Sequence, residues 1–232
     1  MSTPQPSVAP TPRRLGAAGA LVYVAAFVAS ILLAGPPLVH PGQAGVEHSL
    51  SGRGITLAFA SMSVLLLGLL ALVVAMTFLA QSLGRGGAVA ALTAQSAWAG
   101  GIAVVSILAV ALGAGAAALW AQGQGSDLST VLAINNVRNF AYFAVMPFMG
   151  LAALGFGAAA VASRSGTRWI GWGGIVVGVL ALLGIPAAAV GISFVMPLWL
   201  LWWLGVGISL LRPTRVTEHV QDPARAMAVV HD

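Results

Sequence analysis

Few side chains in this 232-residue sequence can do chemistry, and those that can are grouped. The first group is Asn135-Asn136-Val137-Arg138-Asn139, followed by Tyr142. On a helix, Asn135, Arg138, Asn139, Tyr142 and Met146 recur at steps of three and four and so share one face. An arginine framed by two carboxamides and a phenol suits an anionic or polar group, which makes Asn135, Arg138, Asn139 and Tyr142 the candidate ligand-binding residues. The plainer reading is an arginine that snorkels: its stem lies along apolar surface, its guanidinium sits among lipid phosphates, and the carboxamides solvate the helix end. Asp127, Glu47 and the histidines of the first loop are the groups that would pair with Arg138 or close over it.

The second group is His40, Glu47 and His48, whose side chains are of the types that bind zinc. Two histidines and one carboxylate in an irregular loop read better as solvated loop, so no metal site and no cofactor are expected. Trp199, Trp202 and Trp203, at i, i+3 and i+4, offer an aromatic platform. In so apolar a helix, packing against lipid or neighbouring helices is the expected role.

The remaining acids and bases define what the chain does not do inside a membrane. Glu47, Asp127, Glu218, Asp222, Asp232, His40, His48, His219 and His231 all fall in loops or tails. Intramembrane aspartyl proteolysis needs paired carboxylates, rhomboid-type proteolysis a serine with a histidine, and membrane metalloproteases His and Glu on helices. A retinal Schiff base needs lysine, and b-type haem needs helical histidines. Proton-coupled transport usually runs through a buried carboxylate. None of these has its residues within the apolar runs, and with no cysteine there is no thiol nucleophile or disulfide. The expectation is a protein that is not an enzyme. Lipid chemistry by His40, His48 and Glu47 ranks third among the functional readings.

The elements that must position these residues are set by composition. The chain is 59% hydrophobic and 6% charged, too few charges for a water-soluble surface. All ten basic residues are arginine, and with the wealth of Ala and Gly this points to a GC-rich bacterial genome. The arginines lie at the ends of apolar runs rather than in a patch, so the net charge of +5 speaks of membrane topology and not of nucleic acid.

The fold class expected is all-α: a polytopic transmembrane helical bundle of about six spans, N-in/C-in. Residues 1–14 form a disordered cytoplasmic tail, 15–211 the six-span domain and 212–232 a flexible cytoplasmic tail. Span one is Leu15 to Leu38, span two Gly54 to Leu83, span three Ala88 to Trp120 and span four Leu128 to Ser163. Trp169 to Leu211 has 43 residues without a charge, which suits two spans joined by a turn near Ala187 to Ser193, where Pro186 and Gly191 interrupt the run. The alternative is one span with a re-entrant segment. Six spans put Arg13, Arg14, Arg85, Arg164, Arg168, Arg212, Arg215 and Arg225 inside, and only Arg53 and Arg138 outside. Trp120 then marks the outer interface, and Trp169 and Trp172 the inner one.

Pro147 cannot donate its backbone bond, so the carbonyl of Phe143 should be loosened just below the polar stripe, bending the helix. Gly174-Ile-Val-Val-Gly178 fits the small-xxx-small spacing that lets two helices approach, more naturally within the bundle than between copies. The stretch Arg164-Ser-Gly-Thr-Arg168-Trp169-Ile-Gly171-Trp172, after a span with Pro147 and Gly150, resembles a recurring inner loop of six-span bacterial membrane proteins grouped as a domain of unknown function. The likeness covers spans four and five. It implies a six-helix bundle in the bacterial cytoplasmic membrane and carries no activity with it.

The leading functional expectation is an accessory or lipid-interacting component of that membrane. Its partners would be the bilayer and a membrane protein or a second copy of the chain, with no nucleic acid. The second is a small permease or channel-like transporter with Arg138, Asn135 and Asn139 at its outer mouth. The topology is open to test by fusing reporters after residue 232: a fluorescent protein should fold and glow, and alkaline phosphatase should be inactive. The reverse pattern would contradict a cytoplasmic C-terminus.

Overall fold

The computed structural model describes residues 12–34, 53–163, 168–189 and 194–212. These residues are helical apart from short connections, and no strand occurs among them. The helices are α1 (Pro12–Ala34), α2 (Arg53–Leu83), α3 (Ala88–Gly123), α4 (Leu128–Ala144), α5 (Met146–Ser163), α6 (Arg168–Ala189) and α7 (Val195–Leu211). Five segments are long and apolar enough to cross a membrane, α4 and α5 counting together as one. The shorter α7 is also apolar. Leu32, Leu67, Leu70, Leu151, Leu183 and Leu201 lie exposed on their outward faces, a surface suited to lipid. The chain is a multi-pass membrane protein.

Successive spans pack against one another, and α7 returns to α1, so six spans close a ring in the order α1, α2, α3, α4–α5, α6, α7. All neighbours are antiparallel. Gly16 of α1 lies against Phe78 of α2, and Gly68 against Ala26. Trp202 Nε1 of α7 donates to Ile170 O near the start of α6 (3.2 Å), while Val195 at the other end of α7 meets Gly184. α6 and α7 are therefore two antiparallel helices rather than a span with a re-entrant segment. α6 ends at Ala189 and α7 begins at Val195, so the turn expected near Ala187 to Ser193 is helical in its first three residues, and 190–193 lie outside the described residues. Pro186 does not make the turn, because α6 runs on to Ala189.

The seams are made of small residues. Gly174 packs on Ala153 and Gly157, and Gly178 on Leu154 and Gly150, so the small-xxx-small pattern serves the α5–α6 contact inside the molecule. At the α2–α3 turn, Gly84–Gly86 forms a 3-10 helix and Gly87 takes φ 118°, a left-handed value that disfavours any side chain.

Two boundaries differ from the sequence reading. α1 begins at Pro12, so residues 12–14 belong to the helix rather than to the tail. Proline fits the first helical position, where its missing N–H loses nothing. Arg13 then reaches α7, its Nη2 donating to Ser209 O (3.2 Å) and Arg212 O (2.7 Å). That contact caps the last carbonyls of α7 and closes the ring at one end. The second difference is the division of span four at Val145. Pro147 leaves the Phe143 carbonyl without its usual donor, and the helix restarts with Val145 N to Ala141 O and Met149 N to Val145 O, each 3.0 Å.

Arg13, Arg14, Arg85, Arg168 and Arg212 gather at one end of the ring, and Arg138 lies toward the other. Trp169 and Trp172 are exposed at the arginine-rich end, and Trp120 is exposed at the opposite one. There the long helices α2, α3 and α4 outrun the ring. At 36 residues α3 is about 54 Å long, against about 26 Å for the 17 residues of α7. Ala118, Leu119 and Val131 form a small separate core inside this extension, with Ile55, Met62 and Leu132 around it.

Steric pressure at the α5–α6 seam makes a testable contrast. A Cβ at Gly157 would lie 2.6 Å from Gly171 O and 2.7 Å from Ile175 N, whereas one at Gly113 meets nothing within 4 Å. Gly157→Ala should lower stability by about 1–3 kcal/mol. Gly113→Ala should raise it by up to about 1 kcal/mol through helix propensity. Thermal unfolding in detergent compares them, and equal shifts would contradict the packing described.

Candidate functional site

The polar stripe forms as its spacing predicts. Along α4, Asn135 is buried and Arg138, Asn139 and Tyr142 are partly buried, while Asn136, Val137 and Phe140 are exposed on the opposite side. Met146 continues the inward face at the head of α5. The stripe begins beside the N-terminus of α4, where Asp127 caps the helix. Its carboxylate accepts from Thr130 N (3.2 Å), Thr130 Oγ1 (2.7 Å) and Ser129 Oγ.

Asp127 is the one acidic residue among those described, and its hydrogen bonds go to this cap. Hydrogen bonds from Ser129 and then Thr130 hold its pKa down at about 2. Glu47, His40 and His48, the other groups offered by the sequence, lie outside the described residues.

Arg138 lies where three helices meet. Gly115 of α3 leaves the space: a Cβ there would stand 3.0 Å from Arg138 Cδ and 2.7 Å from Met62 Cε of α2. The aliphatic stem is thus held between α2 and α3, and Nη1 lies 3.7 Å from the same point. Nε is sealed from solvent and has no hydrogen-bond acceptor among the described residues. A buried N–H without a partner is unfavourable, more so on a charged group.

From Arg138 a line of polar side chains leads inward. Tyr142 stands one turn further along the same face of α4, partly buried against the core that holds Tyr23 of α1. Tyr23 is fully buried and accepts a 3.0 Å hydrogen bond from Trp199 Nε1 of α7. These are the two tyrosines of the chain. Tyr23 was not marked by the sequence as a functional residue, although a single phenol in an otherwise apolar span is a usable signal, since it must find a partner in lipid. Gly115 gave no signal in a chain with 29 glycines.

The line ends in aromatic packing. Trp199 and Trp203 are each 0% exposed and Trp202 is 3%. Trp199 and Trp203 stack edge to face at 5.7 Å between centroids, and Phe156 of α5 meets Trp203 at 6.3 Å. The tryptophan trio therefore faces neighbouring helices, not lipid. Trp203 Nε1 is the other buried donor without an acceptor among the described residues.

The cap gives a pH-dependent prediction. Because the folded state lowers the pKa of Asp127, its contribution to stability is present above the ordinary carboxylate value near 4 and is lost as pH falls through about 2. Asp127→Ala should speed hydrogen exchange at the Thr130 and Val131 amides at neutral pH and abolish their acid dependence between about pH 4 and 2. Unchanged exchange would show that the cap does not hold α4.

No family model, curated protein or solved structure matches this chain, which leaves its own side chains as the whole basis for a functional reading.

Proposed function

We propose that this chain is a non-enzymatic six-span protein of a bacterial cytoplasmic membrane, acting as an accessory or lipid-interacting component. The observation that carries this reading is the packing of the ring's interior. Tyr23 lies about 16 Å along α1 from the arginine-rich end, and Trp199 about 18 Å along α7, near the middle of ~30 Å of hydrocarbon. Trp203 packs edge to face on Trp199 and Phe156 on Trp203 toward the arginine-rich end, and all four are fully buried. A solute crossing there would have to displace two indole rings and break the Tyr23–Trp199 hydrogen bond.

Orientation follows from the arginine count, which assigns the arginine-rich end to the cytoplasm and Arg138 to the outer side. A second reading has one specific observation in its favour: Asn135, Arg138, Asn139 and Tyr142 share the inward face of α4, the outer half of what a permease would need. On that reading Arg138, Asn135 and Asn139 form the entrance, and the aromatic layer moves aside during transport.

Reconstitution separates the two. Liposomes holding the full chain and loaded with chloride, phosphate or small organic anions should leak no faster than protein-free liposomes. Flux of one of these solutes that disappears in Arg138→Ala would overturn the accessory reading in favour of the permease.

A further inference from the structure

Arg138 is held by protein along its stem and sealed at Nε, yet no described side chain neutralises it. Its depth identifies what surrounds its far end. Gly86 lies against Ser163, so the lower ends of α3 and α5 share one level at the arginine-rich face. Counting upward, Gly115 is about 40 Å along α3 and Arg138 about 37 Å along α5 and α4. Two helices thus agree on a height that, in a bilayer ~40–45 Å thick with its headgroups, is the far headgroup layer. At that height the abundant anion is phosphate on a lipid.

A simple snorkelling arginine leaves its whole guanidinium in water on a flexible stem. Here the stem is fixed in the notch at Gly115, against Met62, and the unsealed edge of the guanidinium remains to meet a ligand. A planar guanidinium fixed in this way presents two parallel N–H groups to two oxygens of one phosphate.

We propose that Arg138, seated in the Gly115–Met62 notch between α2, α3 and α4, is a receptor for the phosphodiester of a phospholipid headgroup in the outer leaflet. The site deepens the lipid-interacting reading above and rests on the orientation that reading assigns. The flux assay tests that reading separately, since tight liposomes with no Arg138-dependent lipid effect would remove this site and leave the accessory role standing.

The test is thermal unfolding of the full chain in a neutral maltoside detergent, with dioleoylphosphatidylglycerol, dioleoylglycerol or sodium phosphate added. Phosphatidylglycerol should raise the midpoint of the wild type by several degrees more than dioleoylglycerol, which has the same tails and no phosphate. Arg138→Gln should lose at least half of that difference. Gly115→Ala keeps the charge but crowds Cδ, and should lose a comparable share, while Gly113→Ala on the same helix keeps it all. Should Arg138→Gln fail to fold, the two glycine variants carry the test. Equal lipid effects in wild type and Arg138→Gln, or in Gly115→Ala and Gly113→Ala, would overturn the proposal. A full effect from sodium phosphate alone would overturn the lipid as its source and mark a soluble-anion site instead.

Discussion

Lipid tails are as apolar as leucine, so no hydrophobic effect presses the helices of this protein together once they are in a bilayer. Contact has to come from close packing and from the few hydrogen bonds that apolar helices can make. Both are visible at the seams. Glycine and alanine let α1 approach α2, α3 approach α5, and α5 approach α6. Indole N–H groups supply much of the rest: Trp98 of α3 donates to Thr77 of α2, Trp202 of α7 to Ile170 of α6, and Trp199 of α7 to Tyr23 of α1. The last of these, with Arg13 on the carbonyls of α7, joins the first span to the last and turns a row of hairpins into a ring.

A closed ring of six helices has an axis, and the way that axis is filled bears on function. The Tyr23–Trp199 pair occupies its middle, with Trp203 and Phe156 packed beside it toward the arginine-rich end, while the polar residues of α4 stop at the far end. The protein therefore combines a packed centre with a charged notch at its rim. The aromatic layer packs the centre, and the proposed lipid site lies where the three long helices outrun the ring. The division of span four at Val145 lies between the two, separating α4 in the extension from α5 with its close seam to α6.

Much of this was legible in the sequence because it depends on local chemistry. Span number, the break in the uncharged 169–211 run, the shared face of Asn135, Arg138, Asn139 and Tyr142, and the disturbance at Pro147 all follow from length, spacing or a missing N–H. What was not legible depends on which way an apolar helix turns. A helix that is hydrophobic all round has no stripe to mark its inner face. The tryptophans of α7 could therefore be placed in packing but not assigned to the axis, and Tyr23 could not be matched to them across 176 residues. The notch at Gly115 was hidden for a related reason: among many glycines, only the arrival of Arg138 and Met62 from other helices distinguishes it. The start of α1 was missed because paired arginines read as a tail, when one of them caps a helix from the far end of the chain.

The central claim is that the Tyr23–Trp199 hydrogen bond locks the closed ring through its aromatic centre. A double-mutant cycle of Tyr23→Phe and Trp199→Phe, followed by reversible unfolding in bicelles, measures it most directly. The account predicts a coupling of about 0.5–2 kcal/mol between the two positions. Additivity within about 0.3 kcal/mol would contradict it, and would mean that the centre is held by shape alone.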